Sequence, residues 1–174
     1  MKRCLSLLTI LTFLASAAAA SAAPRAVLWD RWADFDDSST LTVDHAVWDR
    51  FLAANVFAGD DGINRVGYGK VSELDRAALE RYLVRLSGTP VGQLNRSEQL
   101  AFWINLYNAL TVQVVLTHYP VDSIRAIRSG IFNPGPWGRN LISVDGTDIT
   151  LDDIEHRILR PIWRDPRIHY ALNC

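Results

Sequence analysis

The sequence predicts a single, mostly helical α+β domain around one long buried helix, with a small β-hairpin or sheet. Residues 97–115 are apolar on nearly every side of a helical projection, as in a helix enclosed by protein. Asp145-Gly146 separates two short runs that favour β-structure, the strongest hairpin signal in the chain. We find no repeat and no linker, so the mature chain of about 150 residues is expected to form one domain.

The first 22 residues have the pattern of a signal peptide. Lys2 and Arg3 precede an apolar run at 5–14, and a small-residue tract follows it, with an A-x-A cleavage site at 20–22. The apolar run is shorter than the ~20 residues of a membrane span. We therefore predict cleavage after Ala22, a lead-in over 23–42, a domain over 43–174, and an exported protein that is periplasmic or secreted.

The charge pattern excludes several partner classes. The chain has 18 basic and 19 acidic residues, a net charge of −1. It has no cluster of Lys and Arg, so no nucleic-acid partner is predicted. The expected partner is an unknown small molecule or an envelope protein, and no stable membrane span is expected after signal cleavage. No dinucleotide fingerprint, P-loop or G-x-S-x-G motif is present, and no cofactor is predicted.

Helical spacing predicts the elements of the first half. A short helix with Trp29 and Trp32 precedes a polar turn at 36–39, and the range 42–57 has apolar residues at helical intervals. Residues 59–62 should end that helix, and 63–71 should form a strand or an extended loop. Ser72-x-x-Asp75 is typical of a capping box for a helix that ends at Gly88. The expected buried face of that helix is Leu74, Ala78, Tyr82 and Leu86.

Caps and turn residues predict the second half. Asn95 or Ser97 should begin the central helix, which continues to about His118. A short helix at 122–128 and an irregular loop at 130–138 should lead to a hairpin at 141–150. Thr150-x-x-Asp153 should begin a helix that Pro161 ends. Residues 167–172 are expected to form a strand that joins the hairpin in the small sheet.

Three segments carry a resemblance to a known family: 101–111 (AFWINLYNALT), 154–160 (IEHRILR) and 165–174 (DPRIHYALNC). They resemble the family catalogued as domain of unknown function 547. The resemblance implies a family of exported bacterial proteins and of plant and animal proteins, without an agreed activity. In that family the last motif continues past the cysteine to a second Cys-Pro, so we expect this chain to be truncated at its C-terminal end.

A thiol site is the first chemical hypothesis. Cys174 is the one cysteine left after signal cleavage, and a thiolate nucleophile needs a base and a group that orients the base. The candidates are Cys174 as nucleophile, His169 or His156 as base, and Asn105 as orienting group. The alternative is a structural cysteine or half of a disulfide.

The spacing of His169 and Cys174 restricts this hypothesis. On one straight strand, side chains five residues apart point to opposite faces. The two could meet only if the chain bends at Asn173. Otherwise Cys174 would need a different histidine, and His45, His118 and His156 are the remaining ones.

A ligand site is the second hypothesis. Glu98, Asn105 and Asn108 share one helical face and could bind a polar ligand, or could instead satisfy the helix dipole and loop backbone. The candidate ligand-binding residues are Glu98, Asn108, Trp103 and Arg160. Asp152 and His156 could share a metal ion, but no metal-ligand spacing supports this, so no metal site is predicted.

Two functions follow. The complete domain is either a cysteine-dependent hydrolase or transferase, or a non-catalytic ligand- or protein-binding module of the cell envelope. A reactive thiol would favour the first, and an inert or disulfide-bonded thiol the second.

Overall fold

Helices carry most of the fold in the computed structural model, which describes residues 25–127 and 135–173. The α-helices of this part of the chain are α1 (Ala46–Asn55), α2 (Glu73–Ser87), α3 (Arg96–His118), α4 (Arg160–Trp163) and α5 (Ile168–Ala171). The strands are β1 (Val56–Ala58), β2 (Asn64–Val66), β3 (Ile142–Val144) and β4 (Thr147–Ile149). The predicted fold class is confirmed. The predicted signal peptide and most of the predicted loop at 130–138 lie outside the described residues.

Helix α3 is the centre of the core, as predicted. It begins at the Asn95 cap, whose side chain accepts a hydrogen bond from the Glu98 N–H at 3.0 Å. Phe102, Trp103 and Leu106 on this helix are completely buried. By length and apolarity α3 could also cross a membrane, but more than half of its most apolar stretch is buried inside the protein. A helix buried in the core of a protein can have the same length and apolarity.

The helix predicted for 42–57 is shorter than expected. It begins at Ala46, whose N–H donates to the Asp44 carboxylate, and it ends at Asn55. The next three residues form β1, which pairs antiparallel with β2. The sequence prediction did not include this hairpin. Gly62, at φ +77°, allows the chain to reverse at 59–62, so that the flanking residues pair.

Helix α2 has the predicted capping box, and its buried face matches the prediction in part: Tyr82 and Leu86 are buried as expected, but Leu74 is not. The Ser72 side chain accepts from the Asp75 N–H at 3.1 Å. Leu79, Tyr82, Leu83 and Leu86 are buried, whereas Leu74 is 75% exposed. Leu74 lies five positions before Leu79, which rotates it about 140° away from the buried face.

The second hairpin matches its prediction. Strands β3 and β4 pair with Ile142 opposite Ile149. Asp145 and Gly146 both have positive φ, 46° and 73°, as a type I′ turn requires. Arg31 donates to the backbone oxygen of Asp145 at 2.8 Å and to its carboxylate at 3.0 Å, which ties the turn to the lead-in.

Pro161 does not end the helix that Thr150 caps, contrary to the prediction. The helix continues to Trp163, and its middle, Asp153–Leu159, is π-helical. Pro161 has no N–H for the carbonyl oxygen four or five residues earlier. Those two carbonyls, of Arg157 and His156, accept hydrogen bonds from the backbone of the lead-in instead, at 2.9 and 3.0 Å.

The strand predicted for 167–172 is also wrong. Asp165 accepts a hydrogen bond from the Arg167 N–H at 2.9 Å, and the short helix α5 follows this turn. The β3–β4 hairpin therefore has no third strand among the described residues.

Candidate functional site

The π-containing helix that ends at Trp163 and the short helix α5 bring five polar residues together. Glu155 and His156 lie on the π-helical turns and are buried, and His169 of α5 lies beside them. π-Helical turns are rare and occur often at functional sites. We call this set the two-histidine cluster; it consists of Asp152, Glu155, His156, Arg160 and His169.

The Glu155 carboxylate lies between the two imidazoles. Its Oε1 is 3.6 Å from Nδ1 of His169, and its Oε2 is 4.0 Å from Nε2 of His156. Asp152 Oδ1 lies 3.9 Å from the same Nε2 of His156. These separations exceed hydrogen-bond length but leave strong electrostatic coupling, because Glu155 is only 7% exposed.

Arg160 determines which nitrogen of the neutral His156 ring carries the proton. An Arg160 guanidinium nitrogen lies 3.0 Å from Nδ1 of His156. Guanidinium only donates, so Nδ1 must accept, and the proton of the neutral ring sits on Nε2. Burial lowers the pKa of His156 from its usual value, which favours this neutral form. Burial also raises the pKa of Asp152.

Asn108 of α3 holds the backbone that leads to Cys174. Its Nδ2 donates to the Ala171 carbonyl at 2.9 Å, and its Oδ1 accepts from the Asn173 N–H at 2.9 Å. Residues 168–171 are helical, so the opposite-face restriction of a straight strand does not apply to His169. Cys174 itself lies outside the described residues.

The other predicted site residues on α3 have different surroundings. Glu98 accepts a hydrogen bond from the Val43 N–H at 2.7 Å and joins the lead-in to α3. Asn105 is half-buried and makes no side-chain hydrogen bond within 25–127 and 135–173. Trp103 is completely buried against Trp32, at 5.0 Å between ring centres. Ligand contact by Trp103 would require the core to open. Their roles in binding or catalysis stay predictions.

Two histidines outside the cluster have partners of their own. His45 Nδ1 lies 2.6 Å from the Tyr82 hydroxyl, and His118 Nδ1 lies 2.8 Å from the Val114 carbonyl oxygen. Sequence reasoning considered both rings as partners for Cys174. The contacts of His169 with Glu155 make it the stronger candidate, since a general base needs an orienting group.

A groove of about 840 Å³ lies between α1, β2, α3 and the segment after α3. Its walls are mainly apolar, with Trp48, Leu52, Val112 and Val115 among them, and Asn173 also lines it. The size and lining suit a small-molecule pocket. The groove therefore reaches the residue that directly precedes Cys174.

Sequence reasoning missed Glu155 as the central residue of the cluster. It stands next to His156 in the 154–160 segment, but its contact with His169 joins residues 14 positions apart. No grouping of three or more metal-ligating side chains occurs in the part of the chain that the structure describes. Arg160 occupies Nδ1 of His156, which leaves a neutral ring no lone pair for a metal at Nε2.

The fold and the cluster define a small helical α+β domain with a carboxylate–imidazole arrangement just before a terminal cysteine. Residues 91–174 match the model of the family described as "Protein of unknown function, DUF547", so this part of the chain is similar to that family. The match covers just under half of the chain, from the turn before α3 to Cys174. Comparison with curated proteins and with solved structures finds no match for this chain.

Proposed function

We propose that this chain is an exported envelope protein whose domain acts as a cysteine-dependent hydrolase or transferase. Cys174 is the nucleophile, His169 the base and Glu155 the group that orients the base. One observation carries the proposal: the buried Glu155 carboxylate lies 3.6 Å from Nδ1 of the exposed His169 ring. We assign to Glu155 the orienting role that the sequence suggested for Asn105, because of this contact.

The chemistry requires one proton shuttle. Nε2 of His169 takes the proton of the Cys174 thiol, and the thiolate sulfur attacks the acyl carbon of an ester or amide. The carbon–heteroatom bond breaks, the leaving group takes the proton from His169, and a thioester remains on Cys174. Water or an acceptor nucleophile then attacks the thioester and restores the thiol. The Glu155 carboxylate stabilises the imidazolium that exists between these steps.

Asn108 has a positioning role in this proposal. Its two hydrogen bonds hold residues 171 and 173, so the chain reaches Cys174 from a fixed point on α3. A nucleophile displaced by about 1 Å loses much of its rate, so such an anchor matters for catalysis.

The test is the alkylation rate of Cys174 by iodoacetamide against pH, under reducing conditions, with mass spectrometry of the C-terminal peptide. We expect a thiol that reacts near its maximal rate at neutral pH, and a rate about tenfold lower at pH 7 in His169→Ala and Glu155→Gln. His118→Ala is the matched control and should leave the profile unchanged. A profile that neither His169→Ala nor Glu155→Gln alters would refute the thiol site.

Export needs a separate measurement. The sequence pattern supports cleavage after Ala22. N-terminal sequencing of the protein from a bacterial periplasmic fraction should begin at Ala23. A chain that begins at Met1 and fractionates with the cytoplasm would contradict the proposed location.

The groove favours a second candidate, a non-catalytic binding module. An apolar fluorescent probe should bind the groove, and Val115→Trp, on its α3 wall, should abolish the signal. Val84→Trp is the control, because Val84 is exposed and is not among the residues that line the groove. Probe binding together with an unreactive Cys174 would favour the binding module over the enzyme. No specific loss in Val115→Trp would remove the groove's support for it.

A further inference from the structure

We infer that two positioning residues set the tautomers in the two-histidine cluster: Arg160 sets that of His156, and Glu155 sets that of His169. Arg160 fixes His156 with its proton on Nε2. Glu155 fixes His169 with its proton on Nδ1 and leaves Nε2 as the basic nitrogen. The use of that nitrogen rests on the proposed function, whereas the tautomers themselves do not involve Cys174.

The first step is the contact between Arg160 and His156. The guanidinium is always charged and has five donors and no acceptor, so at 3.0 Å it requires a lone pair on Nδ1 of His156. Arg160 lies one turn after His156 on the same helix, and the surrounding backbone is helical on both sides of the contact. The geometry is therefore fixed by the helix and does not depend on a distant loop.

The second step concerns the groups that face Nε2, the other nitrogen of His156. Nε2 lies 3.9 Å from Asp152 Oδ1 and 4.0 Å from Glu155 Oε2. With the proton on Nε2, the positive end of the N–H dipole is on the side of both carboxylates. This is the favourable orientation for a buried carboxylate, which is costly to leave without compensation.

The third step concerns which histidine each of the two Glu155 oxygens lies near. Oε2 is the oxygen nearer to His156, and Oε1 is 3.6 Å from Nδ1 of His169. A carboxylate beside Nδ1 favours the tautomer that carries its proton there. Nε2 of His169 is then unprotonated, as a general base requires. His169 is 66% exposed in its side chain, so this ring is accessible to a substrate.

The arrangement gives Arg160 a role different from the ligand binding that the sequence suggested. One of its guanidinium nitrogens is engaged by His156, an interaction within the protein. Because the Arg160 residue is exposed, its replacement leaves no cavity in the core. A change in tautomer can therefore be measured without a loss of folding.

The test is long-range proton–nitrogen NMR of nitrogen-15-labelled protein at a pH where both imidazoles are neutral. In the unmodified chain we expect His156 protonated on Nε2 and His169 on Nδ1. In Arg160→Met, which keeps the length but not the donors, His156 should lose this preference while His169 keeps it. In Glu155→Gln, His169 should lose it while His156 keeps it. Arg157→Met is the matched control, because Arg157 pairs with Asp153 instead, at 2.8 Å.

Three results would each overturn the inference: a proton on Nδ1 of His156 in the unmodified chain, an unchanged His156 tautomer in Arg160→Met, or an unchanged His169 tautomer in Glu155→Gln. The proposed function is tested apart from it, since Cys174→Ser should leave both tautomers as they are. The expected tautomers with an ordinary Cys174 alkylation rate would support the inference and refute the thiol site. A reactive Cys174 with tautomers other than those expected would support the thiol site and refute the inference.

Discussion

Asn108 and Asn173 are joined by a hydrogen bond of 2.9 Å from the Asn173 N–H to the Asn108 side-chain oxygen. The nitrogen of the same Asn108 side chain donates to the Ala171 carbonyl oxygen at 2.9 Å. One side chain on the central helix thus satisfies a donor and an acceptor of an irregular segment. This contact ties the last described residues, and His169 with them, to the most buried element of the fold.

Asn108→Ala should destabilise the protein by about 1–3 kcal/mol, because two backbone groups lose their partners at once. The free energy of unfolding in urea measures the loss, and hydrogen exchange should show faster exchange of the Asn173 amide. Asn105→Ala, one turn earlier on α3, is the control. If both variants lose the same stability, the two hydrogen bonds of Asn108 contribute nothing specific.

Local signals predicted the elements whose cause lies within a few residues. The β3–β4 hairpin follows from Asp145-Gly146, since both residues adopt the positive φ that this turn requires. The beginning of α3 follows from Asn95, and the beginning of the π-containing helix follows from Thr150. In each case, one or two side chains determine the backbone conformation next to them.

Long-range contacts determined what the sequence did not predict. The sequence predicts a strand over residues 167–172, but the turn at Asp165 and the Asn108 hydrogen bonds favour helix α5. Pro161 is tolerated inside a helix because the lead-in supplies donors to the two carbonyls it leaves free. The pairing of Glu155 with His169 depends on both effects, and no local pattern encodes it.

The stability of the protein should fall as the pH is lowered below about 6.5. Burial lowers the pKa of His45 and of His156, so the folded rings resist protonation while the unfolded ones do not. The unfolded state then binds more protons, and the free energy of unfolding decreases with decreasing pH. Both contributions are fully present above pH 6.5, the usual value for histidine. Asp152, whose pKa is raised by burial, has the opposite effect at lower pH.

His45→Gln separates one of these contributions, because glutamine can still hydrogen-bond to the Tyr82 hydroxyl. Urea unfolding between pH 7.5 and 5 should show a shallower loss of stability than in the unmodified chain. His118→Gln, at the exposed end of α3, should keep the original slope. An equal slope in all three proteins would mean that His45 is protonated alike in the folded and unfolded states.

Val27→Pro should cost about 1–2 kcal/mol of stability, because it removes the N–H that donates to the His156 carbonyl. Thermal unfolding of the variant measures the change. Ala26→Pro is the control, since it alters the neighbouring position without removing this donor. If both substitutions lower the stability equally, the effect comes from the stiffness of the lead-in and not from the lost hydrogen bond.

Leu79→Ala and Leu74→Ala should differ sharply, although both change a leucine of α2 to alanine. Leu79 is completely buried against the core, so its truncation should cost about 2–5 kcal/mol. Leu74 is 75% exposed, and its truncation should change stability by at most about 0.5 kcal/mol. Urea unfolding of the two variants under identical conditions decides between the observed face and the one expected from spacing alone. A larger loss in Leu74→Ala would mean that α2 is rotated in solution by about 140° from its orientation here.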